Sequence, residues 1–103
     1  MMKVSGMYVS PAEVESVLMA HEAVLEAAVV GQLDDEKLTK PKAYVVLKPG
    51  AAPSPTLAEE LQAHVKSRLA GYKYPRWIEF IDELPKTATG KIQRFKLRAR
   101  GAP

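Results

Sequence analysis

Lys91 stands in the stretch PKTATGKIQR, Pro85 to Arg94, directly after Gly90 and close in sequence to two hydroxyls, Thr87 and Thr89. An ordinary surface lysine tolerates almost any neighbours. One that must enter a crowded site beside a negatively charged group needs small ones, as here. Glycine lets the backbone bend into left-handed or extended conformations without a side-chain clash. The threonine hydroxyls can hold the loop's own backbone or meet a phosphate oxygen. Lysine itself is a compact charge on a long flexible stem, suited to reaching a developing negative charge. A phosphate-cradling P-loop is excluded, because it requires glycine five residues before the Gly-Lys pair and a Ser or Thr after the lysine. Those positions hold Pro85 and Ile92.

Other candidates are weaker. His21 and His64 lie far apart in sequence without a carboxylate pattern typical of metal ligands, and read as ordinary helix-surface or partly buried histidines. Asp34-Asp35-Glu36 is an acidic cluster in a polar connection. It could hold magnesium but reads more simply as a solvated turn. No metal site is expected. From Lys86 onward six basic residues (Lys86, Lys91, Arg94, Lys96, Arg98, Arg100) occur without an acidic one. Such a block attracts a nucleotide, coenzyme A or RNA, or is simply solvated.

The elements that must position these residues follow from periodicity and capping. Ser10-Pro11-Ala12-Glu13 reads as a capped helix start, with Glu13 completing a capping box and Val14, Val17 and Leu18 on one face. Thr56 with Glu59 reads as a second capping box, opening a helix whose stripe of Leu57, Leu61, Val65 and Leu69 is stopped by Gly71. The β-branched runs Ala27–Gly31 and Ala43–Lys48 read as buried strands, and Trp77–Ile81 as a third with Ile78 and Phe80 on one face. Between the first two lies a polar connection in which Lys40-Pro41 discourages helix. KVSGMYV reads as a small hairpin turning at Ser5-Gly6, and Arg94–Arg100 as a short basic helix. The expected fold is α+β: a small sheet of about three strands with two main helices, an N-terminal β-hairpin and a short C-terminal helix.

At 103 residues the chain suits one domain, burying roughly 65% of its unfolded surface. Its 47% hydrophobic and 26% charged content fits a globular protein rather than a disordered one. No apolar run reaches the roughly 18 residues of a membrane helix, the first residues lack the pattern of a signal peptide, and there are no cysteines. The cytoplasm is therefore the expected compartment. The formal charge of +3 is unevenly spread: residues 1–50 carry five basic and seven acidic side chains, residues 51–103 ten and five.

Two stretches, KVSGMYVSPAEVE from Lys3 to Glu15 and PKTATGKIQR from Pro85 to Arg94, together resemble signatures of the C-terminal domain of the adenylate-forming superfamily. That superfamily comprises acyl- and aryl-CoA synthetases, luciferases and peptide-synthetase adenylation domains. LTKPKAYVVLK and GYKYPRWIEFIDELPKTATGKIQRFKLR look most like the benzoate-CoA ligase branch. The resemblance covers essentially the whole chain. It implies that residues 1–103 are the mobile domain alone, with the large N-terminal domain absent and the pivot residue just upstream of Met2. The fragment by itself is then expected to be inactive in the full reaction.

The implied chemistry has two halves, using ATP and magnesium, held mainly by the N-terminal domain, and then coenzyme A. A small aromatic carboxylic acid forms an acyl-adenylate, and coenzyme A then displaces AMP. Lys91 matches the lysine that enters the site in the first half-reaction, supported by Thr87, Thr89 and Gly90. Ser5, Gly6 and Met7 match the hairpin lining the pantetheine tunnel. Tyr72, Tyr74 and Arg76 match positions facing the coenzyme A nucleotide, although packing of both tyrosines against the second helix is an open alternative. The family often has glycine at about Leu38; this chain does not, so coenzyme contacts from that loop are not carried over. Lys91 also resembles sites that a protein acetyltransferase modifies to switch such enzymes off. Two alternatives stay open: a peptide-synthetase adenylation subdomain with a carrier-protein acceptor, and a small basic nucleic-acid-binding module.

Overall fold

The computed structural model describes residues 2–4, 7–69 and 71–101. Two short strands, β1 (Met2–Val4) and β2 (Met7–Val9), pair antiparallel with Val4 opposite Met7. They flank the expected Ser5-Gly6 turn, which lies outside the described residues. Helix α1 (Pro11–Met19) follows, with Pro11 in its first turn and the Ser10 hydroxyl accepting the Glu13 N–H at 3.4 Å. The Glu13 carboxylate meets Lys73 Nζ at 2.6 Å.

Strands β3 (Val24–Leu33) and β4 (Thr39–Leu47) form an antiparallel hairpin, and β5 (Trp77–Phe80) adds to β4 in parallel, giving the order β3-β4-β5. Helix α2 (Pro55–Lys66) is the crossover between β4 and β5. Helix α3 (Arg94–Gly101) closes the described chain.

Both hairpin strands are longer than their apolar runs. Gly31–Leu33 pairs with Thr39–Pro41, so the polar connection shrinks to a turn over residues 34–38. There Asp34 Oδ1 accepts the N–H groups of Glu36 and Leu38 at 2.9 and 3.0 Å, and Lys37 takes φ +62°. Backbone pairing extends the ladder through residues whose polar side chains carry no strand signal. Pro41, fully buried, sits inside β4. Its carbonyl accepts the Arg76 N–H at 2.9 Å, so its nitrogen faces the side on which β5 has not yet begun, where a missing donor costs little.

The cap of α2 also corrects the expectation. Ser54, not Thr56, accepts the Leu57 N–H, at 3.0 Å, with Pro55 at the first helical position. This repeats the Ser-Pro start of α1, because proline's fixed φ suits the first turn. The helix ends at Lys66 with Ser67 as its C-cap, before Gly71, which lies in a 3-10 turn (Gly71–Lys73). Leu61 and Val65 are buried, with Leu57 and Leu69 partly so, as the stripe requires.

The continuous apolar runs have a physical cause: the sheet is covered on both faces. Ala27, Val29, Ala43 and Val45 join Val14 and Leu18 of α1 and Leu61 and Val65 of α2 in one core. Their alternates Ala28, Val30, Tyr44 and Val46 join Leu84 and Leu97 in a second. That second core is the seat of the Lys91 stretch.

Candidate functional site

The chain from Leu84 to Arg94 is a hairpin-like arm rather than a slack loop. Leu84, 4% exposed, is buried in the second core, with Ile92 packed beside it. Lys86 and Ile92 form a β-bridge, and the Gln93 N–H donates to Pro85 O at 2.8 Å. At the tip the Thr87 N–H donates to Lys91 O and the Gly90 N–H to Thr87 O, both at 2.9 Å. Gly90 takes φ +88°, and a side chain there would meet nothing within 4 Å. Glycine is thus required by backbone conformation and not by crowding. The glycine-bulge geometry closes a three-residue turn in the way common to short hairpins.

The two hydroxyls hold the loop itself. Thr87 Oγ1 accepts the Lys91 N–H at 3.1 Å and lies 3.0 Å from Thr89 Oγ1. Lys91 is exposed, and among the described residues its ammonium has no ion pair or hydrogen bond. A hydrogen-bonded backbone therefore carries an exposed cation with no partner among the described residues.

Both roots of the arm are tied by charge. Lys86 pairs with Glu26 of β3. Arg94 pairs with Glu15 of α1, Nη2 to Oε1 at 2.5 Å and Nε to Oε2 at 3.1 Å. The basic block is thus divided, two of its members neutralised internally while Lys91, Lys96 and Arg98 stay exposed.

Tyr74 and Arg76 lie elsewhere. Tyr74 packs against the core under α1 and α2, on the sheet face opposite the arm. Lys66 Nζ and Arg76 Cζ each approach its ring centroid to 4.1 Å. Gln62 of α2 donates to Pro75 O and Arg76 O at 3.0 and 3.2 Å. Arg76 Nη1 is buried without a hydrogen-bond partner among the described residues. Ser5 and Gly6 fall outside the described residues, as do the side chains of Met7, in β2, and Tyr72, in the 3-10 turn.

Two arrangements escaped the sequence reading. His21 and His64 meet edge to face, with ring centroids 5.2 Å apart. The Ala23 N–H donates to His21 Nδ1 at 3.0 Å, which leaves the neutral ring's proton on Nε2, directed at Glu60 Oε2 at 2.5 Å. His64 Nε2 donates to Val17 O at 2.8 Å. The pair latches α1 to α2, and its only sequence signal is the position of His64 beside the Leu61–Val65 stripe. The second is Glu15, a carboxylate 5% exposed within the apolar face of α1. Among the described residues no cluster of three or more acidic, histidine or cysteine side chains could hold a metal ion. No helix among them is long and apolar enough to cross a membrane.

Residues 13–91 match the family model of the AMP-binding enzyme C-terminal domain. The chain is 71% identical over 99 residues to the benzoate–CoA ligase of Thauera aromatica, covering 96% of this chain and 19% of that protein. Among solved structures, an anthranilate CoA ligase in complex with anthranoyl-AMP superposes with a TM-score of 0.94 at 56% identity, over 99% of this chain and 20% of that one. A benzoate CoA ligase from Burkholderia xenovorans LB400 superposes with a TM-score of 0.83 at 69% identity, over 88% and 18%. The chain thus spans about a fifth of the length of these relatives.

Proposed function

This chain belongs to the family of AMP-binding enzyme C-terminal domains, and from that premise we propose that it is the mobile domain of an AMP-forming carboxylic acid–CoA ligase acting on benzoate or a closely similar aromatic acid. The observation that carries this reading is the exposed ammonium of Lys91, without a partner among the described residues, on a braced arm.

In the first half-reaction a carboxylate oxygen bonds to the α-phosphorus of ATP as the bond to pyrophosphate breaks. Negative charge gathers on the carboxylate and α-phosphate oxygens during that displacement. An ammonium set beside them stabilises the transition state more than the ground state. ATP and magnesium are held mainly by the large N-terminal domain, the principal partner of this one. In the second half-reaction the domain turns, the sulfur of coenzyme A bonds to the acyl carbon, and the bond to AMP breaks. Tyr74 and Arg76 lie on the sheet face opposite the Lys91 arm, which suits a domain presenting a different surface in each step. Arg76, half-buried with its guanidinium over the Tyr74 ring, is the proposed partner of a coenzyme phosphate. Tyr74, already engaged by Lys66 and Arg76, serves by holding that guanidinium. Ser5, Gly6, Met7 and Tyr72 complete the proposed coenzyme surface.

The proposed compartment is the cytoplasm, and a protein acetyltransferase is a proposed regulator. Acetylation of Lys91 would remove its charge and with it the electrostatic contribution.

The complete polypeptide, given ATP, benzoate and free coenzyme A, should form benzoyl-CoA, AMP and pyrophosphate. Chromatography of the products checks this. Transfer only to a carrier-protein phosphopantetheine would point instead to a peptide synthetase, and no pyrophosphate with any aromatic acid would reject the ligase reading.

A further inference from the structure

Arg94 opens α3 three residues after Lys91, at the root of the arm, and its guanidinium is gripped by Glu15. That carboxylate is almost wholly enclosed, its side chain 6% exposed. Oε1 accepts Arg94 Nη2, while Oε2 accepts both Arg94 Nε and the N–H of Val29, the latter at 2.7 Å. β3 is the edge of its three-stranded sheet, so among the described residues Val29 has no strand partner on that side, and the Glu15 carboxylate takes its N–H instead. One side chain therefore joins α1, β3 and the start of α3.

A buried ion pair is weak evidence for net stability, since apolar residues of similar volume often do as well. The fork-to-carboxylate contact does fix distance and angle together. Beside Arg94 lies an open cleft of about 510 Å³, lined by Ser10, Pro11, Ala12, Gly31 and Arg98 among others. Without its carboxylate the guanidinium has room to move. Through the Gln93–Pro85 hydrogen bond, such movement reaches the base of the Lys91 turn.

We propose that Glu15 is a positioning residue for adenylate formation: it holds Arg94, and through the root of the arm it sets where the Lys91 ammonium is presented. The inference rests on the role given to Lys91 above. It assigns no contact between Glu15 and substrate.

The test is Glu15→Gln in the complete ligase, with adenylate formation followed by pyrophosphate exchange and thioester formation followed from supplied benzoyl-adenylate. The glutamine carbonyl can still accept the Val29 N–H, so the tie to the sheet survives while the charged grip on Arg94 is lost. Adenylate formation should fall about 10- to 10²-fold, the scale of an ångström-sized misplacement, with thioester formation unchanged. In a Lys91→Ala background the same substitution should cost nothing more, because the group it positions is gone. Wild-type adenylation, an equal loss in both half-reactions, or full additivity with Lys91→Ala would each overturn the inference. Should Glu15→Gln fail to fold by circular dichroism, Arg94→Lys keeps the cation without the planar fork and is judged by the same outcomes. Normal adenylation by Lys91→Ala itself would bring down the functional reading and this inference with it. Impaired Lys91→Ala beside unimpaired Glu15→Gln would bring down the inference alone.

Discussion

Replacing Lys91 with alanine in the complete ligase should slow adenylate formation on the order of 10²–10³-fold, about 3–4 kcal/mol in the barrier, the scale of losing one preorganised donor. Thioester formation from supplied benzoyl-adenylate should proceed at the unmodified rate. The separation follows from geometry. The side chain is exposed and has no partner among the described residues, so truncation leaves no buried group unsatisfied and no cavity. The turn is held by Thr87, Gly90 and the backbone of residue 91, all of which alanine preserves. Unfolding of the variant by urea should therefore match that of the parent chain. Equal losses in both half-reactions, or an altered unfolding midpoint, would count against a role confined to the first step.

The largest stability effect is expected at Tyr44. It lies fully buried in β4, the middle strand, and packs with Ala28, Val30, Val46, Leu84 and Leu97. Its hydroxyl donates to Leu97 O at 3.0 Å, and Lys42 Nζ sits 4.8 Å from its ring centroid. Truncation to alanine removes an aromatic ring from the contact between sheet, α3 and arm, and should cost about 3–5 kcal/mol. That is a large share of the roughly 5–15 kcal/mol that stabilises a typical domain. Tyr44→Phe, which keeps the ring and loses one hydrogen bond, should cost about 1 kcal/mol. Urea unfolding of the 103-residue chain reads both. A Tyr44→Ala midpoint near that of Tyr44→Phe would show that the second core does not bear on stability as its packing implies.

Much of this architecture was legible in the residues. Val14 and Leu18, and Leu61 and Val65, recur at helical spacing because each helix buries one stripe. Ala27–Val30 and Ala43–Val46 run without polar interruption because helices cover one face of the sheet and the arm with α3 covers the other. Gly90 read as free to take a left-handed or extended bend, and in the structure its φ is +88°. The illegible parts share a cause, which is that backbone bonding and tertiary pairing leave little trace in local composition. The ends of the β3–β4 hairpin are polar and held by main-chain bonds. Thr56 and Glu59 satisfied the capping-box pattern, which Ser54 with Leu57 three residues on does not, yet the helix starts at Pro55 and Ser54 caps it. Glu15 and Arg94 are 79 positions apart and His21 and Glu60 are 39 apart. Each pair meets only after the sheet has brought its elements together.

The central claim is that the Lys91 ammonium occupies the catalytic pocket during adenylate formation and leaves it afterwards. Lysine-labelling footprints of the complete ligase, read by mass spectrometry, test this most directly. With benzoate and a non-cleavable ATP analogue bound, Lys91 should be shielded relative to the ligand-free enzyme, and after turnover with coenzyme A it should label freely again. A Lys91 that labels at the same rate in all three states would contradict the account.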